Sequence, residues 1–214
     1  TGNWPGKTVT RAEGGYIYSD KRFKLIDLPG TYSLLSTSDD EEVARDFVLF
    51  GQPDVTVIVV DATRLERNLN LLLQISEITD RAVLCLNLMD EARRYDYEVD
   101  ARSLSKDLGI PVIPTEARQK KGMDELLQAI YDVASGNYIC KPHRVASLPS
   151  NIKKILKDLT IKIEEEFPDL PNARWVAIRL LEGDQKILDS IRSGELNSII
   201  RSQDILQAKE RELA

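Results

Sequence analysis

Histidine and cysteine are almost absent from this 214-residue chain, which contains His143, Cys85 and Cys140 and no others. A single histidine excludes sites built from several imidazole ligands and disfavours catalysis by a histidine base. Two widely spaced cysteines form neither a CxxC pair nor a disulfide framework, which is typical of a reducing, cytoplasmic setting. We expect Cys85 to be a small core residue in a strand and His143 to be a solvated loop residue.

Long apolar runs and an excess of basic residues are missing as well. No run approaches the roughly 18 apolar residues of a membrane span. The chain has 29 Lys and Arg against 35 Asp and Glu, a net charge of −6, which disfavours a broad nucleic-acid surface. Its 42% apolar residues allow a buried core, and its length allows one α/β domain with a small second domain.

A complete phosphate-binding P-loop is also missing. Gly6-Lys7-Thr8 matches the end of the pattern G-x-x-x-x-G-K-[ST], but Thr1 replaces its first glycine. The pattern requires a strand before it and a helix after it. The residues that follow include the alternating stretch 14–18, Gly-Gly-Tyr-Ile-Tyr, which predicts a strand. We therefore reject a P-loop at this position.

The chain does contain alternating strand and helix patterns. A hairpin is predicted from Gly15–Ser19 and Arg22–Asp27 with a turn at Asp20-Lys21, and a helix is predicted from Asp39 or Asp40 to about Phe50. Further strands are predicted at Asp54–Asp61, Arg81–Asn87 and Ile110–Pro114. Further helices are predicted at Glu66–Thr79, Asp100–Leu108 and Met123–Ala134. The alternation predicts a doubly wound α/β domain, and the apolar run 55–60 predicts a strand buried on both faces.

Polar residues follow several of these strands, where the ligands of α/β sheets lie. Asp27-Leu28-Pro29-Gly30 is a variant of the Asp-x-x-Gly element, which contacts a metal ion and a terminal phosphate. Alternatively, these residues form a simple Pro-Gly turn after the strand. Asn87 and Asp90 suit a guanine base, because a carboxylate can accept two hydrogen bonds from guanine and adenine lacks that donor pair. The alternative for both residues is a helix cap.

The remaining third of the chain is predicted to be helical. We place an α/β nucleotide-binding domain at residues 1–138, a linker at 139–149 and a helical domain at 150–214. The helices are expected at Ser150–Glu166, Ala173–Glu182 and Ser198–Leu213. We expect the core of this domain to contain Trp175, Ile178, Leu180 and Leu181.

Several segments together resemble the cytoplasmic N-terminal region of the bacterial ferrous iron transporter FeoB family. They are Gly-Asn-Trp-Pro-Gly-Lys-Thr at 2–8, Asp-Leu-Pro-Gly-Thr-Tyr-Ser at 27–33, Asp-Ala-Thr-Arg-Leu-Glu-Arg-Asn-Leu at 61–69, Asn-Leu-Met-Asp at 87–90 and Ala-Arg-Trp-Val-Ala-Ile-Arg-Leu-Leu-Glu-Gly-Asp at 173–184. The resemblance implies a Ras-like P-loop GTPase domain followed by a small all-α regulatory domain.

The family resemblance also implies roles for particular residues. Thr8 would ligate Mg²⁺ and sense the γ-phosphate, Asp27 would hold Mg²⁺ through water, and Gly30 would donate its amide to the γ-phosphate. The backbone of Gly2 and Trp4 would help to hold an activating K⁺ ion. The guanine site would consist of Asn87, Met89, Asp90, Thr115 and Ala117, the last through its backbone N–H.

The implied function is that of a GTP/GDP-binding switch, hydrolysing GTP to regulate Fe(II) uptake. It would lie at the cytoplasmic face of the bacterial inner membrane, linked to a transmembrane permease and able to form a homo-oligomer. Compared with the family, the sequence begins after the first strand, P-loop and first helix, so we expect impaired hydrolysis and two unpaired strand edges. The alternative is a non-catalytic nucleotide-binding or scaffold domain. Glu116 stands where a small serine is usual, and we expect it to weaken guanine binding or to point outward.

Overall fold

The chain forms two compact units. The computed structural model describes residues 3–4, 7–8, 12–34, 39–143, 149–168, 170 and 172–193. The larger unit consists of Arg11–Val48 and Pro53–Val145 and contains strands and helices. The smaller unit contains the C-terminal helices, the short segment Leu49–Gln52 and the first two strands.

The described strands form three separate sheets. They are β1 (Asn3–Trp4), β2 (Lys7–Thr8), β3 (Ala12–Tyr18), β4 (Lys21–Asp27), β5 (Thr56–Asp61), β6 (Ala82–Asn87) and β7 (Val112–Pro114). Strands β1 and β2 pair antiparallel, β3 and β4 form an antiparallel hairpin, and β5, β6 and β7 form a parallel sheet in that order.

The described helices lie between and after these strands. They are α1 (Asp39–Phe50), α2 (Leu65–Ile78), α3 (Met89–Arg94), α4 (Ala101–Leu108), α5 (Met123–Ala134), α6 (Ser150–Glu166), α7 (Ala173–Leu181) and α8 (Gln185–Ser193). Two single 3₁₀ turns, Ala62–Arg64 and Ala117–Gln119, follow β5 and β7.

The core of the larger unit surrounds β6. Every residue from Ala82 to Leu86 is buried, as expected for a central parallel strand. Helix α2 packs on β5 and α5 packs on β6, with Leu72, Ile130 and Val133 buried beneath them. Cys85 and Cys140 are both buried in this unit, which confirms the core role expected for Cys85.

The outer strands of these sheets each have one edge without a strand partner among the described residues. Among the described residues β3 and β4 pair only with each other, and β5 and β7 each pair only with β6, so the expectation of two unpaired edges stays a prediction. The prediction that β5 is buried on both faces was wrong. Ile58 and Val60 are buried at 3% and 2% exposure, whereas Val59 on the opposite face is 63% exposed. This edge strand is covered on one face only.

The hairpin and the short elements also differ from the predictions. The turn lies at Ser19-Asp20, not at Asp20-Lys21, because Tyr18 pairs with Lys21 and Ser19 adopts a φ of 54°. Helix α3 and helix α8 were not predicted. Six residues, as in α3, are too few to display a helical period. The predicted helix Ser198–Leu213 lies outside the described residues.

The smaller unit has its own apolar core. Trp175, Val176 and Ala177 of α7 are buried, but Leu181 is 43% exposed, so its placement in the core was wrong. Arg179 reaches from α7 to Asp184, with 2.8 Å between its Nη2 and Oδ2. Across the described parts of the chain, the helices are too short or too polar to cross a membrane.

Candidate functional site

The carboxyl ends of β6 and β7 bring polar residues together at one edge of the parallel sheet. In the register of these strands Leu86 lies opposite Pro114, so the chain beyond each strand emerges at the same level. Asn87 ends β6, and Thr115 follows β7 directly. This is the edge at which ligands of open parallel sheets bind.

Asn87 ties the two loops together. Its Oδ1 accepts hydrogen bonds from the Thr115 hydroxyl at 3.2 Å and from the Ala117 backbone N–H at 3.1 Å. The alternative interpretation of Asn87 as a helix cap was wrong. The N-cap of α3 is Leu88, a left-handed residue with a φ of 62°, and no side chain caps this helix.

Thr115 anchors the second loop from the inside. Its side chain is 1% exposed, and its N–H donates to the Leu86 carbonyl at 2.8 Å. Its own carbonyl accepts from the Met89 N–H at 3.3 Å. Met89 and Thr115 are therefore joined through the backbone, and the first turn of α3 is fixed to the loop after β7.

Asp90 lies in the first turn of α3, half-buried. Its Oδ2 accepts a hydrogen bond from the side-chain amide of Gln119 at 3.2 Å. A carboxylate offers acceptor positions on two oxygens. The donor that reaches Asp90 here is a side-chain amide N–H, and guanine likewise presents N–H donors at its ring nitrogen and its amino group.

Glu116 is the most enclosed charge at this edge. The side chain is 8% exposed, and its Oε2 lies 2.9 Å from the ammonium of Lys121, while its Oε1 is paired with Arg93. Hydrogen bonds from Arg93 and then Lys121 hold the pKa of the Glu116 carboxyl below its usual range. Glu116 therefore points inward between two cations, and the expectation that it could point outward was wrong.

Three residues of this cluster had not been predicted: Arg93, Gln119 and Lys121. Arg93 follows Asn87 and Asp90 at steps of three, which places Asp90 and Arg93 on one face of α3. That spacing is the signal that could have revealed Arg93. No pattern in the sequence pairs Gln119 with Asp90, because these residues meet only through the packing of β6 beside β7.

Asp27 and Gly30 lie in the same unit, at the end of β4. Asp27 pairs with Ala12 in the hairpin and its side chain is exposed. Gly30 is also exposed, and a Cβ built on it would meet nothing within 4 Å. The backbone at Gly30 is therefore open to the approach of a ligand.

The segment after Gly30 is attached to α2. The side-chain oxygen of Gln74 accepts from the Leu34 N–H at 2.6 Å and from the Ser33 hydroxyl at 3.3 Å. The guanidinium of Arg67 lies 4.1 Å from the centre of the Tyr32 ring.

The remaining predicted site residues are Gly2, Trp4 and Thr8. Trp4 and Thr8 lie in the β1–β2 ribbon of the smaller unit, where they pair with Lys7 and Asn3. Gly2 lies outside the described residues. The structure thus brings together five of the predicted residues, namely Asn87, Met89, Asp90, Thr115 and Ala117.

A tightly coordinated metal centre is not built from the described side chains. Among them there is no group of three or more His, Cys, Asp or Glu residues that could hold a metal ion. Burial raises the pKa of both thiols, Cys85 and Cys140, which disfavours them as thiolate ligands. The exposed carboxylate of Asp27 fits Mg²⁺, because this ion is commonly held through one or two carboxylates together with substrate phosphates.

Comparisons with known proteins agree on one family. A family model for ferrous iron transport protein B matches residues 1–130, and a model for the FeoB cytosolic helical domain matches residues 149–213. The Fe(2+) transporter FeoB of Escherichia coli (strain K12) is 36% identical over 187 residues, covering 86% of this chain and 24% of the relative. The chain thus spans about a quarter of the length of the curated relatives it matches.

Solved structures show the same similarity. The cytosolic domain of the T. maritima FeoB iron transporter in GDP form II has a TM-score of 0.77 and 32% identity, covering 97% of this chain and 83% of that chain. The GMPPNP form of the same domain also has a TM-score of 0.77 and 32% identity, covering 97% of this chain and 82% of that chain.

Proposed function

This chain belongs to the FeoB family of ferrous iron transport proteins, with an α/β Ras-like G domain followed by a helical domain, and from that premise we propose that it is a guanine-nucleotide switch. The solved relatives in GDP and GMPPNP forms support a guanine nucleotide as the ligand. The observation that carries the proposal is the joining of Asn87 to both Thr115 and Ala117 at the edge of the sheet.

The guanine base would bind between α3 and the loop after β7. Asp90 would accept hydrogen bonds from the ring N–H and the amino group of guanine, and the Ala117 N–H would face the guanine oxygen. Met89 and Thr115 position these two groups through their backbone hydrogen bond. Adenine in this site would leave the carboxylate unpaired, which costs roughly 1–3 kcal/mol.

The phosphates would lie towards Asp27 and Gly30. Mg²⁺, when bound, would neutralise charge on the phosphates. Asp27 would hold that ion through water, and the Gly30 N–H would donate to the terminal phosphate. Thr8 would complete the Mg²⁺ site, and the backbone of Gly2 and Trp4 would contribute to a K⁺ site. In the full-length protein these residues would support the hydrolysis of GTP.

In the full-length protein this switch would regulate Fe(II) uptake. The names of the curated relatives, Fe(2+) transporter FeoB, support iron as the cargo. The match to the FeoB cytosolic helical domain supports a position at the cytoplasmic face of the bacterial inner membrane. The switch would be covalently linked to a membrane permease, and homo-oligomers would place several switches around one transport path.

The substitution Asp90→Asn tests the guanine assignment. An amide in place of the carboxylate presents a donor to the ring N–H of guanine, so the affinity for GDP should fall by about tenfold or more. Xanthosine diphosphate has an oxygen where guanine has its amino group, and its affinity for Asp90→Asn should rise. Titrations with fluorescent GDP and xanthosine diphosphate measure both, with Asp124→Asn on α5 as the control. Unchanged GDP affinity in Asp90→Asn would remove the assignment.

A further inference from the structure

The carboxylate of Glu116 connects two elements of the candidate site. Its side chain is 8% exposed, whereas those of its partners Arg93 and Lys121 are 59% and 62% exposed. The cations therefore reach inward from the surface to a carboxylate that is itself enclosed. We refer to these three residues as the Glu116 clamp.

The two cations of the Glu116 clamp belong to different structural elements. Arg93 belongs to the last turn of α3 and lies about one helical turn after Asp90. Lys121 lies at the far end of the loop after β7, and its carbonyl also accepts from the Glu116 N–H at 3.0 Å. The carboxylate thus closes the loop on itself through Lys121 and fastens it to α3 through Arg93.

The Glu116 clamp depends on charge. An enclosed carboxylate is stable only when its lost hydration is offset by charge-assisted hydrogen bonds. Removal of one partner leaves the remaining charge poorly satisfied. The clamp therefore favours one position of the loop and opposes its separation from α3.

We propose that Glu116 is a positioning residue for the guanine site, acting through its ion pairs with Arg93 and Lys121 to hold the Ala117 N–H at a fixed position relative to Asp90. This inference rests on the proposed guanine-binding function. The adjacent Ala117 N–H already donates to Asn87, so a loop that shifts at Glu116 also disturbs that hydrogen bond. Glu116 does not contact the base; it orders the group that does.

The first test uses hydrogen–deuterium exchange without nucleotide. Glu116→Gln keeps the size of the side chain and removes its charge, and Arg93→Gln removes the partner on α3. Both variants should increase the exchange rate of the amides in loop 115–121 by about tenfold. Glu125→Gln, an exposed position on α5, is the matched control and should leave these rates unchanged. The double variant should add little to either single variant, because the same contact is lost.

The second test measures GDP affinity over a range of salt concentrations. Glu116→Gln should weaken GDP binding by about tenfold relative to Glu125→Gln. Because Arg93 and Lys121 are exposed and open to screening, added salt should reduce the affinity of the control more steeply than that of Glu116→Gln. A purely structural role for Glu116 would give parallel salt dependences.

These outcomes separate the clamp from the proposed function. If the control binds GDP and Glu116→Gln matches it in exchange and in affinity, the clamp is overturned. If no variant binds GDP, the proposed guanine-binding function fails, while loop exchange still decides whether the clamp holds the loop. If Glu116→Gln fails to fold, the exchange rates and GDP affinity of Arg93→Gln decide the question, because Arg93 is a surface residue.

Discussion

At the scale of single residues, the candidate site depends on which donor meets which acceptor. Asp90 and Asn87 both follow β6, but their partners differ. Asn87 accepts two hydrogen bonds from the loop after β7, whereas the Asp90 carboxylate accepts a hydrogen bond from the side-chain amide of Gln119. The contact with Gln119 occupies the same carboxylate that we propose to bind guanine.

The substitution Gln119→Ala should therefore strengthen guanine binding. A base that enters the site must displace the Gln119 amide, and an exposed hydrogen bond contributes about 0.5–1.5 kcal/mol. We expect the affinity for GDP to rise by about two- to tenfold. Titration with fluorescent GDP measures this, with Gln128→Ala on α5 as control. Weaker binding in Gln119→Ala would show that the amide supports the base and does not compete with it.

At the scale of elements, the site consists of a short helix and a loop fixed to each other. Helix α3 is joined to the loop after β7 through Met89, Asp90 and Arg93. The same loop passes beneath Pro114 at Gly122, which has a φ of +74°. A Cβ at Gly122 would lie 2.2 Å from the Pro114 carbonyl oxygen. The close approach of two backbone segments therefore requires glycine here.

Gly122→Ala and Gly136→Ala form a matched pair that separates strain from collision. Gly136 has a similar φ of +75°, but a Cβ there would meet nothing within 4 Å. Alanine at Gly136 should lower the free energy of unfolding by about 1–2 kcal/mol, the cost of holding alanine in the left-handed conformation. Alanine at Gly122 must also move the backbone, and we expect an additional loss of at least about 2 kcal/mol. Denaturant unfolding measures both, and equal losses would contradict a collision at Pro114.

At the scale of the whole molecule, the described strands are divided among separate sheets. The hairpin β3–β4 and the parallel sheet β5–β6–β7 each end in an edge that has no strand partner among the described residues. Leu25 and Val59 are 55% and 63% exposed on the strands that form these edges. Unprotected edge strands with exposed apolar side chains promote association between chains.

The substitution Val59→Lys should reduce self-association of this chain. A charged side chain on an edge strand opposes pairing with another strand. Because Val59 is exposed, the free energy of unfolding should change by no more than about 0.5 kcal/mol. Light scattering at increasing concentration measures association. The control Val60→Lys places a charge at a site that is 2% exposed and should instead destabilise the fold. Unchanged scattering in Val59→Lys would exclude the β5 strand as a source of association.

The elements that the sequence predicted best were those with strong local patterns. Helix α5 was predicted with its observed bounds, Met123–Ala134, because its apolar residues recur at the helical period. Strand β6 was predicted within one residue because its apolar run is continuous. Helix α3 was missed because six residues carry no detectable period. The half-exposure of β5 was missed because a sequence does not show what covers each face of a strand.

The sequence by itself determined the family, the alternation of strands and helices and the types of residue at the guanine site. These follow from local motifs, whose residue types and spacing are visible in one dimension. Only the tertiary structure decided that Glu116 turns inward between Arg93 and Lys121, and that the Gln119 amide donates a hydrogen bond to Asp90. The physical reason is that the Arg93–Glu116 ion pair and the Gln119–Asp90 hydrogen bond both join the loop after β7 to α3. Only the packing of β6 beside β7 sets the distance between them.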